Sequence, residues 1–177
     1  AKALLQAMLR AFKGYGGKKV PNIAIVEFKQ PFLTLESAEY HVLAEAFRKL
    51  GYPTEVVNLD QLEYKNGVLR RGEFTIDLVY RCLKVNEFLI RYDLTHPLVR
   101  AYREHAICMV NSFRAELARR KAIYELLTDD QITHGFPAAE KKVLRESIPW
   151  TRMVRQGMTA KQDQQIDLVE YIQKNRE

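Results

Sequence analysis

I-C-M-V-N-S-F-R-A-E-L-A-R-R-K-A-I-Y-E-L-L-T-D, from Ile107 to Asp129, is the stretch that decides the fold class. Ile107, Cys108, Met109 and Val110 form an unbroken apolar run, the pattern of a short buried strand. Asn111, Ser112, Phe113 and Arg114 then turn the chain into a helix carrying Leu117, Ile123 and Leu127, which closes at Thr128, Asp129 and Asp130. In α/β folds a strand that ends in small polar residues ahead of a helix is where ligands bind. Backbone N–H groups converge there, outside the carboxyl end of the strand.

The same signature recurs upstream. Ile23 to Phe28 is a continuous, largely β-branched run typical of a strand buried on both faces. Lys29 to Leu33, with Pro31, reads as a loop, and Thr34 as an N-cap with Glu36 in the first helical turn. Leu43, Phe47 and Leu50 then recur at helical spacing, Gly51 supplies the stop and Pro53 forbids continuation. Glu55 to Leu59 is the next strand. A strand, helix and strand in this compass make a βαβ unit, which the handedness rule makes parallel and right-handed. Asn66-Gly67 tolerates positive φ at both turn positions, so it predicts a two-residue hairpin, and Arg71-Gly72 a second turn. Ile76 to Tyr80 reads as a third core strand ending at Arg81, and residues 83–92 and 97–105 as helices, Pro97 sitting in a favoured first turn.

The ends of the chain are simpler. Residues 3–12 form an amphipathic helix that the Gly14-Tyr15-Gly16-Gly17 cluster stops. That cluster precedes a strand, so it is not a dinucleotide fingerprint. Ala138 to Glu146 reads as a charged helix ending before Pro149. A polar stretch follows Trp150-Thr151-Arg152, and a last amphipathic helix carries Ile166, Val169 and Ile172. The expected organisation is an N-terminal helix and turn (1–20), an α/β domain (21–130) and a helical segment (131–177). The absence of an initiator Met, and a final helix with nothing after it, read as an excised chain.

Bulk properties exclude several classes. No apolar run approaches the roughly eighteen residues that span a bilayer. Gln6 and Arg10 interrupt the first helix, so it is not a secretory signal. Cys82 and Cys108 sit in apolar surroundings without metal-ligand spacing and read as free thiols of a cytoplasmic protein. The net charge is +6, and Lys2, Arg10, Lys13, Lys18 and Lys19 supply most of the excess from a segment with no acid. No nucleic-acid-binding signature accompanies it, so nucleic acid is not the expected partner. A solvated basic helix, or one docked on acidic chain, fits better.

His41, His96, His105 and His134 are scattered without ligand spacing, which argues against a metal site. Phosphate-loop and serine-hydrolase motifs are also absent. What remains is a polar set on strand ends, namely Arg81, Asn111, Ser112 and Arg114. In a parallel sheet these share one edge, where a guanidinium can fork onto a carboxylate or phosphate and Asn or Ser can orient it. The same residues can instead cap helices and satisfy loop carbonyls, and Ser112 is well placed to cap the helix that follows.

The order P-N-I-A-I-V-E-F, a helix ending at Leu50-Gly51, I-D-L-V-Y-R, V-N-S-F-R, R-K-A-I-Y-E-L-L-T-D and I-P-W-T-R resembles the central region of circularly permuted ATP-grasp proteins. These are relatives of the glutathionylspermidine synthase group, and the likeness runs from Pro21 onward. The resemblance implies a pre-ATP-grasp domain, a Rossmann-like layer of about four parallel strands with flanking helices, a β-hairpin insertion and a helical C-terminal segment. It implies no cofactor within this chain. ATP and Mg²⁺ would belong to the full-length parent, held by ATP-grasp portions of the same polypeptide outside residues 1–177. It further implies a parent that joins a carboxylate to an amine through an acyl phosphate, with a carboxylate or peptide-like small molecule on this side. The alternative is a non-enzymatic α/β binding or scaffold domain that keeps the fold without the chemistry.

Overall fold

The computed structural model describes residues 1–28, 38–161 and 164–176. The loop and N-cap read at Lys29 to Glu36 lie outside the described residues. The chain divides into two compact units, Ala1–Arg114 and Ala115–Glu177.

The first unit is built on a parallel sheet. Helix α1 (Lys2–Gly14) precedes β1 (Ile23–Glu27), α2 (Ala38–Lys49) and β2 (Thr54–Asn58). A three-stranded antiparallel sheet follows, made of β3 (Glu63–Lys65), β4 (Val68–Arg71) and β5 (Phe74–Ile76). Then come β6 (Leu78–Arg81), α3 (Val85–Arg91), α4 (Pro97–Arg103) and β7 (Cys108–Val110). Strand order in the parallel sheet is β2-β1-β6-β7, with Ile23 opposite Thr54 and Leu78, and Leu78 opposite Cys108. All four strands therefore end on one edge.

Strand alternation splits the core between the two faces of this sheet. Ile23, Leu78 and Cys108 pack with Leu5, Met8 and Phe12 of α1 and Phe47 of α2. Ala24, Val26, Val57, Val79 and Met109 pack with Phe88 of α3, Leu98 and Ala101 of α4, and Leu69 and Ile76 of the antiparallel sheet. Fully burying one such apolar side chain contributes ~1.5–3 kcal/mol, so α1 is tied to the sheet by three of them. At the end of α1, a side chain at Gly17 would collide with the Phe12 ring, which is why glycine stands there.

Two details differ from the sequence reading. The single strand expected over 76–80 is divided at Asp77, where the chain leaves the antiparallel sheet and enters the parallel one. The Asp77 carboxylate accepts from the Asn22 backbone N–H at 3.0 Å and pairs with Lys19 at 2.9 Å, which anchors the crossing point. The Asn66-Gly67 turn, by contrast, forms as read, with φ of 52° and 76° and Lys65 opposite Val68.

The second unit holds α5 (Ala115–Arg119), α6 (Ala122–Leu127), α7 (Ala138–Ser147), β8 (Met158–Lys161), β9 (Gln164–Asp167) and α8 (Leu168–Lys174). The one helix expected through Leu127 is interrupted at Arg120-Lys121. Helix α5 buries no side chain, so packing does not hold a continuous helix across the three consecutive cations Arg119, Arg120 and Lys121. The polar stretch after Arg152 contains an antiparallel hairpin, with Thr159 opposite Ile166. Ile166 therefore belongs to a strand, and Asp167 caps the last helix by accepting from the Glu170 N–H at 2.9 Å. Arg152 ties this unit together. It donates to Thr128 Oγ1 at 2.7 Å, to Thr159 Oγ1 at 2.9 Å and to the Ala160 carbonyl at 3.3 Å, and lies 5.1 Å over the Trp150 ring.

Candidate functional site

The parallel sheet places the ends of β6 and β7 side by side, because Tyr80 is paired with Val110. One residue further on, Arg81 stands beside Asn111. Asn111 has φ +55°, a left-handed backbone that reverses the chain directly after the strand and that asparagine adopts more readily than most residues.

Three of the four residues singled out from sequence are brought together here. Arg81 is buried, and its Nε donates to the Asn111 carbonyl at 2.5 Å. One terminal nitrogen donates to the Leu83 carbonyl, and the other lies 3.4 Å from the Ser112 carbonyl. Its guanidinium also sits 5.9 Å from the centre of the Phe113 ring. A buried cation must be hydrogen-bonded to be tolerated, and backbone carbonyls of the loop contribute to that. Arg81 thus staples the turn after β7 to the turn after β6. Ser112 is half-buried in the stapled loop, and α5 begins three residues later, at Ala115. Arg114 is exposed, and no hydrogen bond among the described residues joins it to the other three.

Aromatic rings wall the same end of the sheet. Phe88 lies 5.9 Å from Phe113, 5.3 Å from Tyr92 and 5.2 Å, edge-on, from His96. His96 is buried, and its Nδ1 accepts from the Leu98 N–H at 3.1 Å, capping α4. Burial pushes its pKa below the usual imidazole value, against the opposing pull of a hydrogen bond to the Leu59 backbone and the nearby Asp60 and Asp93. Tyr92 donates to Asp60 at 2.7 Å; burial, followed by that carboxylate, pushes the phenol up to about 12.

Comparison with models of known protein families, and with curated proteins, gives no match. The site must be read from its own chemistry.

A neighbouring group of residues escaped the sequence reading. Cys82 continues the pairing of β6 with β1, donating its N–H to the Val26 carbonyl at 2.9 Å. Its thiol hydrogen-bonds with the hydroxyls of Tyr40 and Tyr80 and feels the charge of Glu27. Burial first, then Glu27, push the thiol up to about 12, outweighing the two phenol hydrogen bonds that act the other way. The Tyr40 phenol is likewise held at about 12, chiefly by burial. Burial favours the neutral form of these groups near pH 7. The signal was faint: Tyr80 and Cys82, two apart on one strand, share a face, but Tyr40 arrives from α2 through the tertiary fold.

Among the described residues no group of three or more His, Cys, Asp or Glu is placed to hold a metal ion, and no helix is long and apolar enough to cross a membrane. The strand ends present the Asn111 amide, the phenol and thiol groups of Tyr40, Tyr80 and Cys82, and the exposed Arg114 charge.

Proposed function

We propose that this chain is the substrate-side layer of an ATP-dependent carboxylate–amine ligase-like protein, equivalent to a pre-ATP-grasp domain. In this reading ATP and Mg²⁺ are held by other portions of the same polypeptide, and the chain contributes no catalytic residue of its own. A carboxylate or peptide-like small molecule lies at the carboxyl edge of the sheet. Arg114 supplies the positive charge there, Asn111 and Ser112 orient the ligand, and Arg81 positions the loop that carries them. A reducing cytoplasmic setting fits the free thiols Cys82 and Cys108.

The observation that carries the reading is the stapled pair of strand ends. A parallel sheet in which one strand ends at Arg81 and its neighbour is followed directly by Asn111, with the turns after both locked by a buried guanidinium, is a preorganised edge of the kind at which α/β sheets take ligands. The burial of Arg81 among carbonyls also fits a scaffold domain that keeps the fold without ligase chemistry.

The division of labour is testable on the chain itself. A ligand that binds only the folded state at a hundredfold excess over its Kd adds ~2.7 kcal/mol of stability. For a chain of this size that is a rise of roughly 5–11 °C in Tm. Thermal unfolding with and without millimolar Mg²⁺-ATP is expected to show no such rise. A shift of several degrees, with phosphate release above the blank, would place a complete nucleotide site within these 177 residues and refute the division.

A further inference from the structure

Helix α1 uses only one side of itself in the fold. Leu5, Met8 and Phe12 are buried against the sheet, with Leu4 and Leu9 partly buried beside them. The helical period puts Lys2, Gln6, Arg10 and Lys13 on one outward strip, all exposed. The three cations of that strip span about 16 Å at a rise of about 1.5 Å per residue. Lys18 adds an exposed cation just beyond the helix. Among the described residues neither Lys18 nor any of the three makes an ion pair, whereas Lys19 is paired with Asp77.

Two features of this strip run against what an isolated surface helix prefers. The first turn contains no acid and has no side-chain cap, and Lys2 sits at the positive end of the helix dipole. No Glu or Asp lies within the first nineteen residues to make the usual pairs one turn apart. An acidic partner laid along the strip would relieve both.

We infer that the exposed face of α1 is a docking surface for an acidic helix of a partner protein, whose carboxylates meet Lys2, Arg10 and Lys13. Charge complementarity carries the assignment, and the shape agrees with it. Ala3, Ala7 and Ala11 form the exposed strip beside the cations and let a second helix approach closely. An anionic membrane is a poorer fit, because the apolar side chains that would insert into it are already in the core. A nucleic acid is also a poorer fit, because the strip interleaves its cations with Gln6 and alanines and offers no stacking aromatic. The inference does not depend on the ligase reading.

The test is fluorescence anisotropy with a labelled, end-capped helical peptide that carries Glu at the matching spacing beside a row of alanines. A control peptide carries Lys in place of Glu. Saturable one-to-one binding of the acidic peptide is expected at 20 mM NaCl, weakening by at least about tenfold at 300 mM as the screening length shrinks. The K2E/R10E/K13E variant, shown to be folded by its own melting curve, should lose at least about tenfold in affinity. Ala7→Leu keeps every charge but blocks close approach, and it should weaken binding as well. The inference fails if the acidic peptide does not saturate, or if it binds the triple variant equally. It also fails if duplex DNA or phosphatidylserine vesicles bind α1 more tightly than the peptide does.

Discussion

Replacing Arg81 by methionine separates a structural staple from an anion site. Methionine keeps most of the buried stem and removes the guanidinium. Two close hydrogen bonds to carbonyls, at Asn111 and Leu83, are lost, together with the weak one to Ser112. At ~1.5 kcal/mol for each close bond from a charged donor the loss is about 3 kcal/mol, lowered to about 2 kcal/mol by no longer burying a cation. Unfolding entropy of about 2.1 cal/mol/K per residue gives roughly 0.24 kcal/mol/K for the unit Ala1–Arg114. The transition of that unit in scanning calorimetry should therefore fall by about 8 °C. Arg81→Lys, which can reach one carbonyl, should fall by about half as much. If R81M melts within about 0.5 kcal/mol of the parent chain, the size of a neutral surface change, the staple is wrong. If phosphate or acetate stabilises the parent chain but not R81M, the guanidinium faces anions instead.

Other perturbations report on neighbouring features. His96 is neutral in the fold with its pKa depressed, so the unfolded chain binds the extra proton first as pH drops. Its contribution to stability is complete above the ordinary imidazole range near pH 6.5 and declines below it, by at most about 1.4 kcal/mol per pH unit. His96→Asn, which can still cap α4, should flatten the urea-midpoint profile between pH 7.5 and 5; an unchanged slope would show that His96 is not the group titrating. Cys82, with its thiol at about 12, should resist iodoacetamide at pH 8 in the native chain and react once unfolded in urea, as followed by mass spectrometry. Rapid native labelling would show that the thiol is not held neutral. Gly67→Ala forces a side chain into φ +76° and should lower stability by ~1–2 kcal/mol, whereas no change in the urea midpoint would mean that the turn relaxes freely.

The sheet was legible because its strands are short, continuous apolar runs that the periodicity rules read directly. Ile23 to Glu27 and Cys108 to Val110 stand almost where the sequence places them. Asp77 reads as continuous strand because a single polar residue between Ile76 and Leu78 carries no mark of a change of sheet. Its meaning lies in Asn22 and Lys19, far away in sequence. The β8–β9 hairpin was missed for the opposite reason. Met158 to Lys161 and Gln164 to Asp167 have no fully buried side chain; Met158 and Ala160 do alternate with Thr159 and Lys161, but only over four residues, and Gln164 to Asp167 do not continue the pattern, so little marks the pair off from a polar loop. At the candidate site, the parallel reading puts Arg81 and Asn111 on one edge, whereas their standing side by side follows from the strand order of the fold. What the sequence could not say is which way the guanidinium turns; it donates to the Asn111 and Leu83 carbonyls. The Tyr40, Tyr80 and Cys82 group needed α2 to be folded over the strand ends before it existed at all.

The central claim is that this chain is the carboxylate-side layer of a ligase, and it has a direct chemical test. The longer polypeptide that this proposal posits should be incubated with Mg²⁺-ATP, hydroxylamine and a panel of small carboxylates and peptides. An acyl phosphate formed from ATP and a carboxylate transfers its acyl group to hydroxylamine, releasing phosphate. The expected result is therefore hydroxamate together with equimolar ADP and phosphate, with at least one carboxylate. Folded polypeptide that yields ADP without hydroxamate, or neither product across the panel, would contradict the ligase reading and leave a binding or scaffold domain in its place.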